Sequence, residues 1–289
     1  MIFGISPLFA LIPLIVYIIL AFKDINPVLN VVICVVFSAV LTGQSFSSMG
    51  GVISEALGSF LGMIGFIIML GSALGAVLKA TGVAEFLIHT LMKRIGINTE
   101  RKAILASMIT SIVLVALLGT LAGANAIIAP IIIPLVAVIG LTPSTMAAVL
   151  MGAGITGLFI GPYSPQVVTL MELTQMSYAT YVLQVGLPVA AVCWVFTFFA
   201  AQVIQKKTRG VYTYSLEDTD EKEYVATPQA VRATVVFFIS ITALIAYGIV
   251  LQAGSAYAIL VISVTAILTG PAGGMKPSPM FDTMSEGAS

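Results

Sequence analysis

The sequence predicts an all-α polytopic membrane protein with broken or re-entrant helices. Of its 289 residues, 59% are hydrophobic and only 8% are charged, whereas soluble domains carry about a quarter charged residues. Residues 103–171 contain no Asp, Glu, Lys, Arg or His, and such a length can cross a bilayer more than once. Gly and Pro interrupt this block, and inside a membrane such breaks are tolerated only where protein or a water-filled cavity satisfies the freed backbone groups. The block therefore predicts a substrate or ion site.

The apolar runs predict the membrane spans in chain order. Basic residues next to spans mark the cytoplasmic side, so the two charged connections are expected inside and the N-terminus outside. We therefore expect a multi-pass protein of a bacterial cytoplasmic (inner) membrane. The expected spans are 7–22, 28–43, 61–78, 183–204, 233–251 and 255–270, and the uncharged block lies between the third and the fourth. Residues 44–60 are expected to form a short interfacial helix or loop. The two charged connections are 79–102 and 205–232.

Two pairs of spans resemble each other. Leu41-Thr42-Gly43 and Leu268-Thr269-Gly270 end matching apolar runs, and polar segments that contain Glu55 and Glu286 follow them. The charge pattern gives the two pairs opposite topology, which predicts an inverted repeat of the kind found in secondary transporters. The predicted organisation is a first transmembrane repeat at 1–206 with a broken-helix block at 119–166, a cytoplasmic loop at 207–232, and the start of a second repeat at 233–289.

The second copy of the central block is not found after residue 270. The repeat therefore predicts a truncated or split form of a transporter of about 450 residues. The alternative is a chain that dimerises to supply the second half, so a homo-oligomer stays open.

Few polar side chains lie in the central block. Asn125, in the stretch Gly123-Ala124-Asn125 between Gly119 and Pro130, is expected either to coordinate a cation or to satisfy backbone groups freed by the break. Gly123 is expected in the same ion-binding site. Hydroxyl ligands are expected from Thr120, Thr156 and Ser164, and carbonyl ligands for Na⁺ from Gly157, Gly161 and Pro162; for each of these a local turn bond is the alternative. Tyr163 and Gln166 flank the second break.

Glu172 is the only carboxylate that adjoins the block. An ionisable group at a membrane site is a candidate for a proton relay, although its polar neighbours also fit a place at the membrane interface. Glu85 and His89 fit a solvated helix face better than a metal site. No phosphate-binding loop and no His-Glu-x-x-His motif occurs in the sequence, which argues against an ATP-driven pump and an intramembrane metalloprotease. No cofactor is expected beyond transported Na⁺ and H⁺, and no nucleic-acid partner.

The stretch 118–130, Leu-Gly-Thr-Leu-Ala-Gly-Ala-Asn-Ala-Ile-Ile-Ala-Pro, followed by Gly161-Pro162-Tyr163-Ser164-Pro165, resembles the ion transporter superfamily and, within it, the NhaC-like Na⁺/H⁺ antiporter family. The resemblance implies two inverted repeats, each with a broken element at a central site lined by Asn125 and the 156–165 break. The same resemblance to the superfamily also fits carriers of gluconate, lactate, dicarboxylates and amino acids. No Asp or Glu stands within a span, unlike the pattern expected of a proton-coupled antiporter.

The sequence therefore predicts a secondary transporter, not an enzyme, that exchanges Na⁺ for H⁺ by alternating access. A Na⁺-coupled carrier of organic acids or amino acids is the alternative within transport. A non-transporting membrane subunit or scaffold is the alternative of another class.

Overall fold

The computed structural model of the protein describes residues 9, 11–23, 25–215, 224–251 and 253–288. These residues form helices and connections, with no strand among them, and the prediction of an all-α polytopic membrane protein is confirmed. The acidic run from Glu217 to Glu223 lies outside the described residues. The chain divides into two compact units, Met1–Met63 and Ile64–Ser289.

The first unit contains α1 (Ile12–Ala21), α2 (Pro27–Thr42) and α3 (Phe46–Leu57). Asn26 begins α2, because its side chain accepts hydrogen bonds from the first backbone N–H groups of the helix. The buried Asn30 amide donates to the carbonyl oxygen of Tyr17 at 3.0 Å and joins α2 to α1. Residues 44–60 were expected as a short helix or loop, and α3 is a helix capped by Ser45.

Helix α4 (Phe60–Ala80) begins in the first unit and continues into the second. The second unit then contains α5 (Val83–Ile95), α6 (Glu100–Leu118), α7 (Leu121–Ala137), α8 (Pro143–Ile160), α9 (Pro165–Thr174), α10 (Tyr178–Tyr181), α11 (Leu187–Thr208), α12 (Pro228–Val250), α13 (Tyr257–Ala272) and α14 (Pro277–Ala288). A single π-helical turn joins α10 to α11.

Five helical stretches within the described residues are long and apolar enough to cross a membrane. They are Phe60–Ala80, Glu100–Leu118, Pro143–Thr174, Tyr178–Thr208 and Pro228–Val250. Four further apolar helices, α1, α2, α7 and α13, are shorter. Large apolar side chains on these helices remain exposed in the protein alone, as expected of surfaces that face lipid.

Helices α6 and α8 run parallel and pack through glycines of α8. A methyl group built on Gly157 would lie 2.7 Å from the carbonyl oxygen of Ile112, and one on Gly154 would contact Ser111 and Val115. The next glycine along, Gly161, would likewise meet the backbone of Ala116. Small residues at such spacing let helix backbones approach closely in lipid, so this stripe fixes α8 against α6.

Helix α11 runs antiparallel to α8 and ends in a buried polar cluster. The Gln205 side chain accepts hydrogen bonds from the Thr145 hydroxyl at 2.8 Å and the Thr142 backbone N–H at 3.1 Å, and it donates to the Gly140 carbonyl at 2.8 Å. Beside the cluster, Arg209 forms an ion pair with Glu100. The connections before α6 and after α11 therefore lie at the same end of the bundle, which agrees with the common side that their charges predict.

Two segments that the sequence presents as polar are packed helices. The charged connection 79–102 contains α5, whose apolar face packs against α6, α7 and α12. The polar stretch after residue 270 contains α14, and a methyl group built on Gly287 would lie 2.9 Å from the Ser72 carbonyl oxygen and 2.6 Å from Ala76 Cβ of α4. In both segments the apolar residues recur at helical spacing, so one face of each helix can pack against the bundle although the segment carries charged residues.

The sequence suggested that Pro130 and Pro134 interrupt a helix, but both lie inside α7. A proline removes one backbone donor and disturbs the preceding turn, and inside a protein-packed membrane helix neighbouring helices compensate for that loss. The first interruption is therefore confined to Gly119 and Thr120.

Candidate ion-binding site

Two helix interruptions that are distant in the sequence lie in backbone contact. Helix α6 ends at Gly119, which has a left-handed φ of +68°, and Thr120 is extended before α7 begins. The second interruption, Gly161 to Ser164, separates α8 from α9. A methyl group built on Gly119 would lie 3.0 Å from the Tyr163 carbonyl oxygen and 3.5 Å from the Ser164 nitrogen. Only glycine combines this backbone conformation with so close an approach.

The first interruption packs against the middle of α4. Gly71 stands near the centre of this 21-residue helix, which is long enough to cross a membrane. A methyl group built on Gly71 would lie 2.6 Å from the Leu118 carbonyl oxygen, at the end of α6.

Three polar side-chain atoms at the interruptions are buried and lack a hydrogen-bond partner among the described residues. They are Thr120 Oγ1, Asn125 Oδ1 and Ser164 Oγ, three of seven such atoms among the described residues. Leaving such a group unsatisfied costs about 1–3 kcal/mol, so buried polar atoms without partners call for a water or an ion. Asn125 and Thr120 do not cap α7 either, because no side-chain cap bond forms there.

Helix ends of both signs meet around these oxygens. Helices α6 and α8 are parallel, and both end at the interruptions, where α7 and α9 begin after Thr120 and Ser164. The carboxyl end of a helix carries partial negative charge and the amino end carries partial positive charge, so the side-chain oxygens, and not the helix ends alone, indicate a cation. Neutral oxygens and helix carboxyl ends are the ligands with which broken transporter helices hold Na⁺.

Ser72 of α4 lies beside the same site, although the sequence gave no signal for it. A methyl group built on Gly123 would lie 2.7 Å from Thr120 Oγ1 and 3.9 Å from Ser72 Oγ. Both hydroxyls thus lie within 4 Å of one point. A single serine in an apolar helix is common, and only the packing of α4 on the interruption identifies this one.

The other predicted ligands lie on α8 and within the second interruption. Thr156 is in the interior of α8, and its hydroxyl donates to the Gly152 carbonyl at 3.0 Å. The Gly157 carbonyl accepts the Gly161 N–H at 2.9 Å, and the Gly161 carbonyl accepts the Ser164 N–H at 3.1 Å. The local turn bond is therefore present at each of these three positions, and their role as ion ligands stays a prediction.

Tyr163 is buried and Gln166 is exposed. Both flank the second interruption as the sequence indicated. Their contribution to a site stays a prediction.

Glu172 lies away from the interruptions, near the end of α9, and is exposed. Its Oε2 accepts a hydrogen bond of 2.8 Å from the Ser255 hydroxyl. Both residues line a cavity of about 580 Å³ whose walls also include Pro162 and Tyr163 of the second interruption. The carboxylate is therefore connected to the candidate site by a cavity and not by direct contact.

The connection 79–102 and the segment before α12 meet through aromatic rings. The imidazole of His89 stacks on the ring of Tyr224 with centroids 4.2 Å apart. Burial, and secondarily the nearby charge of Glu85, raises the pKa of Tyr224. No group of three His, Cys, Asp or Glu side chains that could hold a metal occurs in the part of the chain that the structure describes.

An apolar helical bundle with two interrupted helices in contact is the architecture of a membrane transport protein. The model of the Na⁺/H⁺ antiporter family matches residues 1–171, a segment that includes both interruptions. This is more than half of the 289-residue chain, and the chain belongs to that family. Membership supports a cation/proton antiport role and a transporter rather than an enzyme. No curated protein and no solved structure matches the chain.

Proposed function

We propose that the protein is a Na⁺/H⁺ antiporter of the NhaC-like kind that works by alternating access and binds Na⁺ where the two helix interruptions meet. One observation carries the proposal. Thr120 Oγ1, Asn125 Oδ1 and Ser164 Oγ are buried without partners among the described residues, near the points where α6 and α8 end and α7 and α9 begin. A Na⁺ ion would satisfy these oxygens.

Ser72 supplies a fourth oxygen in this proposal. Its hydroxyl lies on the side of α4 that faces Gly123, and α4 touches the end of α6 at Gly71. The site would then draw ligands from both interruptions and from a continuous helix. A change in the position of α4 relative to the interruptions would alter the affinity for Na⁺.

Proton coupling needs a group that titrates. The proposed Na⁺ ligands are neutral, and Glu172 is the carboxylate in the cavity that reaches the second interruption. We assign the proton-linked role to Glu172. The same proposal includes an inverted repeat, an N-terminus outside and a bacterial inner membrane. The helix lengths support the repeat, because α2 and α13 have 16 residues each and both are followed by a 12-residue helix.

A Na⁺-coupled carrier of organic acids or amino acids is the second candidate. The cavity of about 580 Å³ favours it, because pockets for small organic ligands have volumes of about 300–1,000 Å³. In that case Na⁺ would occupy the same oxygens and the solute would occupy the cavity.

The test uses the full chain in proteoliposomes with a pH-sensitive dye inside. An imposed Na⁺ gradient is expected to drive proton movement, and Asn125→Ala is expected to raise the Na⁺ concentration for half-maximal rate by about tenfold, the effect of about 1.4 kcal/mol of lost ligand interaction. Asn98→Ala, at an exposed asparagine in the connection before α6, is the control. Unchanged Na⁺ dependence in Asn125→Ala at normal expression would remove Asn125 from the site.

Proton movement separates the two candidates. A Na⁺-coupled carrier would move no protons under a Na⁺ gradient alone but would accumulate a labelled organic acid or amino acid. Absence of both activities, with ²²Na⁺ binding to the purified chain also absent, would overturn the proposal and favour a non-transporting subunit.

A further inference from the structure

The cavity between α9, α10, α12 and α13 extends from the second interruption to one end of the bundle. Pro162 and Tyr163 line it near the interruption, and Glu172 and Ser255 line it farther out. Glu172 follows Ser164 by eight residues, which corresponds to about 12 Å along a helix at 1.5 Å per residue. The cavity therefore covers most of the distance from the candidate site to the loop between α12 and α13.

Among the described residues that line this cavity, Glu172 alone has a charged side chain. The carboxylate is held in place, because the Ser255 hydroxyl donates to Oε2 at 2.8 Å from a different element, the loop between α12 and α13. The remaining lining is mostly apolar, aromatic or hydroxylic. A cleft with one sign of charge and low-dielectric walls focuses the field of that charge and concentrates ions of the opposite sign.

We propose that Glu172 makes this cavity selective for cations and that Ser255 is a positioning residue, which holds the carboxylate across the cavity. The proposal rests on the proposed function in taking the cavity as the route to the Na⁺ site. It also narrows the substrate class, because a fixed carboxylate on the route favours inorganic and organic cations and disfavours organic anions. This role requires only the charge of Glu172 and is separate from the transfer of a proton.

The test measures the charge preference of the cavity with two thiol reagents of opposite sign. Ala179 lines the cavity and is exposed, so Ala179→Cys provides a reporter in a full chain whose Cys34 and Cys193 have been replaced by alanine. The purified protein in a neutral detergent reacts with 2-(trimethylammonium)ethyl methanethiosulfonate or with 2-sulfonatoethyl methanethiosulfonate. The ratio of the two rate constants is the readout, and a change in thiolate fraction cancels in this ratio because it affects both reagents equally.

The cationic reagent is expected to react faster, after correction for the rates of both reagents with a free thiol. Glu172→Gln is expected to lower the ratio by about 3- to 10-fold, the effect of one unit charge at several ångströms in a medium between protein and water. Glu172→Asp should keep most of the ratio. Ser255→Ala should lower it partly, because the carboxylate keeps its charge but loses its fixed position.

Glu85→Gln is the matched control. It removes the same charge, but Glu85 lies by the start of α12, where Gly82 approaches Ala230, whereas the cavity lies at the other end of α12. This separation exceeds the screening length of about 10 Å at 0.1 M salt, so the ratio should not change. High salt should weaken the preference in the unsubstituted reporter.

A ratio that is the same in Glu172→Gln and in the parent would overturn the proposal. So would a ratio that falls equally in Glu85→Gln. The measurement needs no transport, so its failure is distinguishable from failure of the proposed function. If the parent protein shows the charge preference of the cavity but no Na⁺-driven proton movement, the result counts against the antiport proposal and not against this one.

Discussion

Gly119 contacts the backbone of Tyr163, and through this pair the interruption after α6 meets the interruption after α8. Because residue 119 is glycine, no side chain separates these two backbone segments. The left-handed backbone of Gly119 is one requirement for glycine, and the 3.0 Å that would separate an added methyl group from the Tyr163 carbonyl oxygen is another. Substitutions can separate the two.

Gly119→Ala should lose both stability and Na⁺ binding. A left-handed backbone costs a non-glycine residue about 1–2 kcal/mol, and the added methyl group would also push Tyr163 away. Gly210→Ala is the control, because Gly210 has a φ of +75° and nothing within 4 Å. Thermal unfolding in detergent and ²²Na⁺ binding give the readouts. Equal losses in the two variants would show that the contact contributes nothing beyond backbone strain.

Ser164→Ala should weaken Na⁺ binding by about tenfold, as the loss of about 1.4 kcal/mol implies, without lowering the melting temperature. The Ser164 hydroxyl has no partner to lose. Thr169→Val is the control, since the Thr169 hydroxyl donates locally to the Pro165 carbonyl at 2.6 Å. Equilibrium binding of ²²Na⁺ to the purified chain measures the difference. If Ser164→Ala binds Na⁺ as well as the parent, Ser164 is not a ligand.

Gly157→Ala should destabilise the packing of α8 on α6. Its methyl group would lie 2.7 Å from the Ile112 carbonyl oxygen, and overpacking of this kind typically costs about 1–3 kcal/mol. Gly65→Ala, in α4, has nothing within 4 Å and should be neutral or slightly stabilising, because alanine is the better helix former. The melting temperatures of the two variants should therefore shift in opposite directions or by clearly different amounts.

Gln205→Leu should destabilise the end of the bundle where α11 meets α8. The substitution leaves the Thr142 N–H and the Gly140 carbonyl without the Gln205 side chain, at about 1–3 kcal/mol for each buried group that stays unsatisfied. The Thr145 hydroxyl loses one bond but keeps its contact with the Thr142 hydroxyl at 2.9 Å. Gln202→Leu, one turn earlier and only half-buried, is the control. A smaller loss at Gln205 than at Gln202 would contradict the structural role of the cluster.

Cysteines at residues 98 and 210 should react with a membrane-impermeant thiol reagent from the same side, and a cysteine at residue 254 from the opposite side. The ion pair between Glu100 and Arg209 places the first two positions at one end of the bundle. Gly254 follows α12 at its other end. The charge rule assigns the first side to the cytoplasm. Labelling of intact cells then tests the predicted orientation, and reaction of residue 210 from outside would reverse it.

The sequence predicted two interruptions because glycine and proline act locally, but it made both too long. Helix α7 already begins at Leu121, so Gly123 to Asn125 are helical, and α8 continues through Thr156 and Gly157 to Ile160. The contact between the two interruptions could not be predicted, because it depends on how α6 and α8 pack through Gly157 and its neighbours. Pro130 and Pro134 illustrate the opposite error, since a local rule predicted a break that tertiary packing prevents.

The packed helices α5 and α14 show a second limit. Charge counts marked 79–102 as a connection and the segment after 270 as a polar tail, yet both contain helices with one buried face. Ser72 shows a third limit, because its relevance comes only from the approach of α4 to Gly123. The interruptions were therefore visible in the sequence, whereas the fourth oxygen of the candidate site was not.

Helix α4 has backbone neighbours on both sides of its central turns. Gly71 meets the end of α6, and Gly287 of α14 meets the Ser72 carbonyl and Ala76. Side chains can change rotamer to absorb a shift, but backbones in contact cannot, and packed interfaces of this kind switch between discrete arrangements. The Ala76 methyl group has no rotamer to change, so we expect a rotation of α4 to displace α14 and the interruption together, and a movement at one of these helices would reach the other.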